Sequence, residues 1–187
     1  MRKLKLQMQM SVDGFVAGPE GQLDWMTWNL DDKLKSFINE VTDSIDTILL
    51  GRKMTDEFNA HWEAIVNKPE DESQLFAKKM VDAKKIVFSK SQKTISGINT
   101  TISNENLTDA VNKLKAQTGK DIVVYGGANF VSNLIKENLI DEFNLFTNPT
   151  AIGNGLRIFF DRTNLQLVKS QSYECGVVVN TYKSLKK

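Results

Sequence analysis

This sequence predicts an α/β fold with a mostly parallel sheet and an antiparallel edge. Three observations predict it. Strand-like and helix-like apolar spacings alternate from Leu4 to Ile135. The strand-like segments run into glycines or short polar turns, behind which helical spacing resumes. From Asp141 onward that helical spacing disappears, and β segments separated by Pro/Gly loops place a hairpin at the sheet edge.

Taken in order, Leu4, Leu6, Met8 and Met10 alternate with Lys5, Gln7 and Gln9, the period of a strand with one buried face. The stretch SVDGFVAGPEGQLDW follows, whose three glycines and one proline read as a long loop. From Leu30 the pattern is helical, through Leu34, Phe37, Ile38 and Val41. Asp31 and Asp32 sit where the positive end of the helix dipole favours acids. Ile45 to Leu50 is a buried strand closing at Gly51, with a helix start after it. Leu75, Phe76 and Met80 mark a short helix behind a polar segment around Pro69. KKIVFSKSQ is a short strand ending in a polar turn, and Leu107, Ala110, Val111 and Leu114 mark a helix stopping at Gly119. IVVYGG is a strand into a glycine pair, and Val131, Leu134 and Ile135 share the next helical face. DEFNLFTNPTAIG runs from strand into loop, and Leu165–Lys169 with Val177–Tyr182 form a hairpin joined near Gly176. No repeat, low-complexity tract or linker divides residues 1–187, so one domain is expected.

Composition narrows the functional classes. With 187 residues, 41% apolar and 25% charged, the chain is long enough for one proper core. A formal charge of +1, with lysines scattered instead of striped, argues against nucleic-acid and anionic-membrane partners. No apolar run approaches the ~20 residues that span a bilayer, and MRKLKLQMQM alternates as a strand does, unlike a signal peptide. A single cysteine, Cys175, permits neither an internal disulfide nor a thiolate metal cluster. A cytoplasmic protein is expected.

The candidate chemistry gathers at strand ends. Gly126-Gly127 stands between a strand and a helix start. Such a start presents free N–H groups and partial positive charge to a pyrophosphate, and glycine lets the ligand approach. A tight turn explains the pair equally well, and the full G-x-G-x-x-G pattern is missing. In LLGRKM, Gly51 ends a buried strand and Arg52-Lys53 open a helix. Two cations there oppose the helix dipole, so either a phosphate such as the 2′-phosphate of NADP favours them or they form a solvated turn. FSKSQ offers Ser89 and Lys90 at another strand end, groups suited to a phosphate monoester. Asp13, Asp24, Asp31 and Asp32 are candidate carboxylates, for most of which turn or cap chemistry is the simpler reading. His61 is the only histidine and the acids lack ligand-like spacing, so no metal site is expected. Trp25, Trp28 and Trp62 suit either a pocket for a flat ring or a core.

These segments in order, SVDGFVAG, DWMTWNLDDKL, LLGRKM, VFSKSQ, VVYGGANF and IDEFNLFTNPTAIGNG, resemble the dihydrofolate reductase-like family. They resemble most closely its branch related to the riboflavin-biosynthesis reductase domain. The resemblance spans almost the whole chain. It implies a three-layer α/β/α fold with a mostly parallel central sheet of about eight strands and a C-terminal antiparallel hairpin. It also implies NADPH across the strand ends and frequent homodimers. Carried over by position, Val16 and Ala17 approach the nicotinamide, and Gly51, Arg52 and Lys53 hold phosphate. Ser89 and Lys90 lie near the 2′-phosphate, and Gly126, Gly127 and Ala128 receive the pyrophosphate. The loop of Pro149, Gly153 and Gly155 borders the substrate, with Trp28 on the same side.

Two departures bear on the substrate. Dihydrofolate reductases place a pteridine-binding acid three residues after WNL; here Lys33 holds that position and Asp32 precedes it. A one-residue step turns a helical side chain by about 100°, which disfavours folate reduction. The family's threonine two residues after GR is Met54, followed by Thr55. The expected activity is therefore NADPH-dependent reduction of a small heterocycle, as in the 5-amino-6-(5-phosphoribosylamino)uracil reductase of riboflavin biosynthesis. Asp13 is the first candidate for orienting substrate or supplying a proton, and Asp32 the second. The alternatives are dihydrofolate reductase proper, or a non-catalytic nucleotide- or drug-binding protein that keeps the fold.

Overall fold

The computed structural model describes residues 1–68 and 70–185. Pro69, at the centre of the polar segment expected before the third helix, lies outside the described residues, as do residues 186 and 187 of the expected domain. The elements are β1 (Leu4–Met10), α1 (Asp32–Asp43), β2 (Ile45–Gly51), α2 (Arg52–Val66), α3 (Gln74–Asp82), β3 (Lys84–Phe88) and β4 (Thr100–Ser103). They continue with α4 (Leu107–Ala116), β5 (Asp121–Gly126), α5 (Ala128–Lys136), β6 (Glu142–Thr147), β7 (Leu165–Ser172) and β8 (Val178–Ser184).

The eight strands form one sheet in the order β4-β3-β2-β5-β1-β6-β8-β7. Strands β4 through β6 of that order are parallel, and β8 and β7 add an antiparallel edge. Helices cover both faces. Leu4, Leu6, Met8 and Met10 of β1 pack with Val111 and Leu114 of α4 and with Val131, Leu134 and Ile135 of α5. On the other face, Ile48 and Leu50 of β2 and Val123 of β5 meet Met80 of α3, with Phe58 and Trp62 of α2 alongside. The same face receives α1, where Leu34 packs with Phe146, Tyr173, Val177 and Val179. This is the three-layer α/β/α arrangement, with β1 near its middle. Among the described residues no helix is long and apolar enough to cross a membrane.

Several boundaries differ from expectation, each for a local reason. α1 begins at Asp32 and not Leu30, because Asp31 is its cap: the Asp31 carboxylate accepts from Leu34 N–H at 3.0 Å. α4 stops at Ala116, since Gln117 already has extended backbone (φ −73°, ψ 158°). The hairpin strands are longer than expected, and a register shift between Leu167 and Lys169 disturbs the alternation that was read from sequence. β4 was not expected at all; it pairs parallel with β3 from Thr100 to Ser103.

One core group is out of place energetically. The Tyr125 hydroxyl is buried without a hydrogen bond of good geometry; burial pushes its pKa up to about 12, against a weaker opposing contact with the Thr42 hydroxyl. Tyr125→Phe should therefore raise stability by about 1 kcal/mol, the low end of the penalty for an unpaired buried polar group. Because the folded pKa lies above the ordinary value of 10, the preference for the neutral form holds below pH 10 and is lost as pH rises through about 12. Denaturant unfolding of the variant, with an ultraviolet titration of the parent, checks both points.

Candidate functional site

Parallel pairing brings the carboxyl ends of β3, β2, β5, β1 and β6 to one edge of the sheet, in that spatial order. Open α/β sheets bind ligands at such an edge. The segments that follow these strands are Ser89-Lys90, Gly51 to Lys53, Gly126 to Ala128, Val16-Ala17 and Pro149 to Gly155. Residues predicted from scattered points of the sequence thus share one rim.

At its centre, β2 and β5 end side by side, with Leu50 opposite Gly126. A Cβ on Gly51 would lie 2.8 Å from Gly127 N and 3.1 Å from Phe130 Cβ, so only glycine fits. A Cβ on Gly127 would meet nothing within 4 Å. The space before that residue is open, a cradle that a side chain would fill. The Gly126-Gly127 peptide is cis. α2 and α5 both begin here, with Gly51 and Gly127 as N-caps and no side-chain cap bond. Of the other helices, Asp31 caps α1 and Asn106 caps α4, while α3 likewise starts without a side-chain cap bond. Uncapped first turns leave N–H groups without an intrahelical partner, although in α5 the Phe130 N–H already donates to Gly127 O at 3.0 Å. Arg52 and Lys53 are exposed and form no ion pair among the described residues.

The Met54 departure has a clear geometry. Its sulfur lies 3.0 Å from the place of a Cβ on Gly126, so the side chain covers that glycine. Thr55 does not take over an outward-facing hydroxyl: it is fully buried and donates to Gly51 O at 3.1 Å. Toward β3, the Ser89 hydroxyl accepts from Gln92 N–H at 3.0 Å, which organises its own turn and leaves its hydrogen free to donate. Phe88 stacks on Phe130 at 5.3 Å, joining the β3 end to α5. A recess of about 280 Å³ opens beside it, between Ser103, Asn104 and Lys113. A second recess of about 430 Å³, around Asp82, Lys84 and Thr100, lies at the opposite, amino end of β3 and β4.

The β1 side of the rim is made by two loops bonded to each other. Val12 N–H donates to Thr150 O at 2.9 Å, Val16 N–H to Leu156 O at 2.8 Å, and Leu156 N–H to Ala17 O at 2.9 Å. A Cβ on Gly155 would stand 2.2 Å from Ala17 O, so glycine is required for this approach. The Asp13 carboxylate accepts from the Ser11 hydroxyl at 2.6 Å, Ile152 N–H at 3.2 Å and Gly153 N–H at 2.7 Å. The Ser11 hydrogen bond is the largest influence on Asp13, and with the two N–H groups it holds the carboxyl below its ordinary pKa. The ring of Pro149 packs beside Gly176, at the turn of the hairpin.

Sequence reasoning missed Asn148. It is fully buried, and its side-chain oxygen accepts from Thr27 N–H at 2.8 Å while its amide donates to Gln9 Oε1 at 2.8 Å. A polar residue at a buried strand end was the available signal, but NPT reads as an ordinary turn. Trp28 follows Thr27 and is 69% exposed. Asp32 is exposed in the first turn of α1, and Lys33 pairs at 3.2 Å with Glu174 of the hairpin turn. Asp31, the cap, also accepts from Cys175 N–H at 3.1 Å, and the Leu34 and Cys175 N–H groups lower its pKa. His61 packs edge-on against Trp62 at 4.6 Å, and no cluster of metal-ligating side chains occurs among the described residues.

Comparison with known proteins agrees with this architecture. The RibD C-terminal domain family model matches residues 2–179. The uncharacterized protein YyaP of Bacillus subtilis (strain 168) is 37% identical over 187 residues, covering 97% of this chain and 94% of that protein. A putative riboflavin biosynthesis protein from Shewanella sp. PV-4 superposes with a TM-score of 0.71 at 19% identity, over 100% of both chains. The Thermotoga maritima diaminohydroxyphosphoribosylaminopyrimidine deaminase/5-amino-6-(5-phosphoribosylamino)uracil reductase gives 0.69 at 15% identity, over 98% of this chain and 56% of that one. At such identities the structural likeness is one of fold. The family match, however, begins before β1 and continues into β8, and on that ground the chain belongs to the RibD C-terminal domain family, built on the dihydrofolate reductase-like fold.

Proposed function

We propose that the protein is an NADPH-dependent reductase of a small heterocyclic substrate, of the kind represented by 5-amino-6-(5-phosphoribosylamino)uracil. The observation that carries this reading is the open cradle at Gly127, flanked by two uncapped helix starts and the unpaired Arg52 and Lys53. The first turns of α2 and α5 donate N–H groups to a pyrophosphate, with Ala128 opening α5. Arg52, Lys53, Ser89 and Lys90 take the 2′-phosphate. Within the loop after β1, the Val16 carbonyl and Ala17 N–H have no hydrogen bond among the described residues, so they are available to a nicotinamide carboxamide. When bound, the cofactor supplies the hydride. The substrate lies between that loop and the Pro149, Gly153 and Gly155 wall, where the exposed Trp28 ring offers an apolar face to a flat heterocycle. Lys33, standing where dihydrofolate reductases carry an acid and facing Glu174 in an exposed ion pair, disfavours a pteridine substrate. A homodimer is part of the same reading.

Thermal melting with NADPH, NADH and no ligand tests it. At about 100 times its dissociation constant, NADPH should add about 2.7 kcal/mol. Arg52→Ala or Lys90→Ala should reduce the NADPH shift and spare the smaller NADH shift, as expected for residues that read only the 2′-phosphate. No shift with either cofactor would overturn the proposal.

A further inference from the structure

We propose that Asp13 is a positioning residue whose carboxylate latches the Ser11–Leu30 loop to the Thr150–Leu156 loop, so that the two walls of the substrate side move as one body. The naming of those walls rests on the function proposed above; the latch itself rests on geometry alone. Both carboxylate oxygens are engaged as acceptors, Oδ1 by the Ser11 hydroxyl and Ile152 N–H, and Oδ2 by Gly153 N–H. Ser11 is itself buried and anchored, since its hydroxyl oxygen accepts from Phe15 N–H at 3.0 Å. A carboxylate so placed turns the chain at Gly14 (φ +86°) and hands two backbone N–H groups of the other loop a charged acceptor. The bonds at Val12, Val16 and Leu156 lie on either side of it, so the latch sits inside a ladder and not at its frayed end.

This geometry argues against Asp13 as the proton source. A donor must be protonated when it acts, and here three donors already point at the carboxylate and favour its ionised form. Within residues 11–18 and 149–160, the only other ionisable side chain is Arg157. Its guanidinium lies over the Phe15 ring at 4.7 Å, which adds positive charge to the same loop pair.

The test is amide hydrogen exchange in the full chain without cofactor, so its outcome is independent of whether NADPH binds. Asp13→Ala should speed exchange at Ile152 and Gly153, and by about tenfold at Val16 and Leu156, whose own partners remain intact. Exchange at Leu6 and Val124 in the sheet should be unchanged. Ser11→Ala should produce a smaller change of the same pattern. In the parent, the latch is complete above the ordinary aspartate pKa of 3.8 and is lost as pH falls through the lowered value. Gly153 N–H chemical shifts should therefore titrate with the Asp13 carboxyl, and should not titrate in Asp13→Asn. Unchanged exchange at Val16 and Leu156 in Asp13→Ala would overturn the proposal.

Discussion

Phe146→Ala is expected to lower folding stability by about 3–5 kcal/mol, the usual cost of emptying an aromatic site in a core. Phe146 is fully buried on β6, with its ring 6.0 Å from that of Phe37. Leu34, Tyr173, Val177 and Val179 enclose it. These neighbours come from α1 and from the hairpin, so the ring joins the last two strands to the first helix. Their backbones are independently fixed, α1 by Asp31 to Cys175 and β8 by its pairing with β6, and the cavity cannot close by simple collapse. Phe146→Leu retains much of the volume and should lose less than half as much. Urea unfolding measures both. A loss near 1 kcal/mol in the alanine variant would show that α1 moves freely into the space.

Gly51→Ala is expected to have the larger effect on the site. Its Cβ would press on Gly127 N and on Phe130 Cβ, at 2.8 and 3.1 Å. Relief requires β2 and β5 to part at their ends, a strain of about 1–3 kcal/mol. The same displacement spoils the spacing of the two helix starts, so the thermal shift with NADPH should vanish. Gly127→Ala is the complementary variant. Its Cβ enters empty space, so the unliganded melting point should change by no more than about 1 kcal/mol allows. The methyl group would nevertheless occupy the ground a pyrophosphate needs, and the NADPH shift should again be lost. A Gly127→Ala protein that still responds fully to NADPH would place the cofactor elsewhere.

The strand-end part of this site was legible in sequence because its chemistry is local and made of backbone. Gly51 with Arg52-Lys53, and Gly126-Gly127, each declare a strand, a turn and a helix start within a few residues. β1 was legible for a similar reason, since one face of Leu4 to Met10 is apolar throughout. β4 was not, because Thr100 to Ser103 contains a single apolar residue, Ile102, and lies half-exposed at the sheet edge. The lacing of the two loops was also hidden. Asp13 and Gly153 are 140 positions apart, and an aspartate before a glycine is locally a turn. The Met54 departure could be seen in sequence, but not that its sulfur would cover Gly126.

The place of β1 between β5 and β6 has a consequence for how the protein is made. Leu4 pairs with Ile122 and Lys5 with Glu142, so both neighbours of this strand are translated more than a hundred residues after it. Contacts of such sequence separation slow folding, because chain entropy must be lost before they form. On the ribosome, Leu4–Met10 must wait with an apolar face uncovered while β2, β3 and their helices are synthesised. Of the eight strands, the one that carries the Asp13 loop is thus made first and seated among the last, which leaves it open to a chaperone for longer than its neighbours in the sheet.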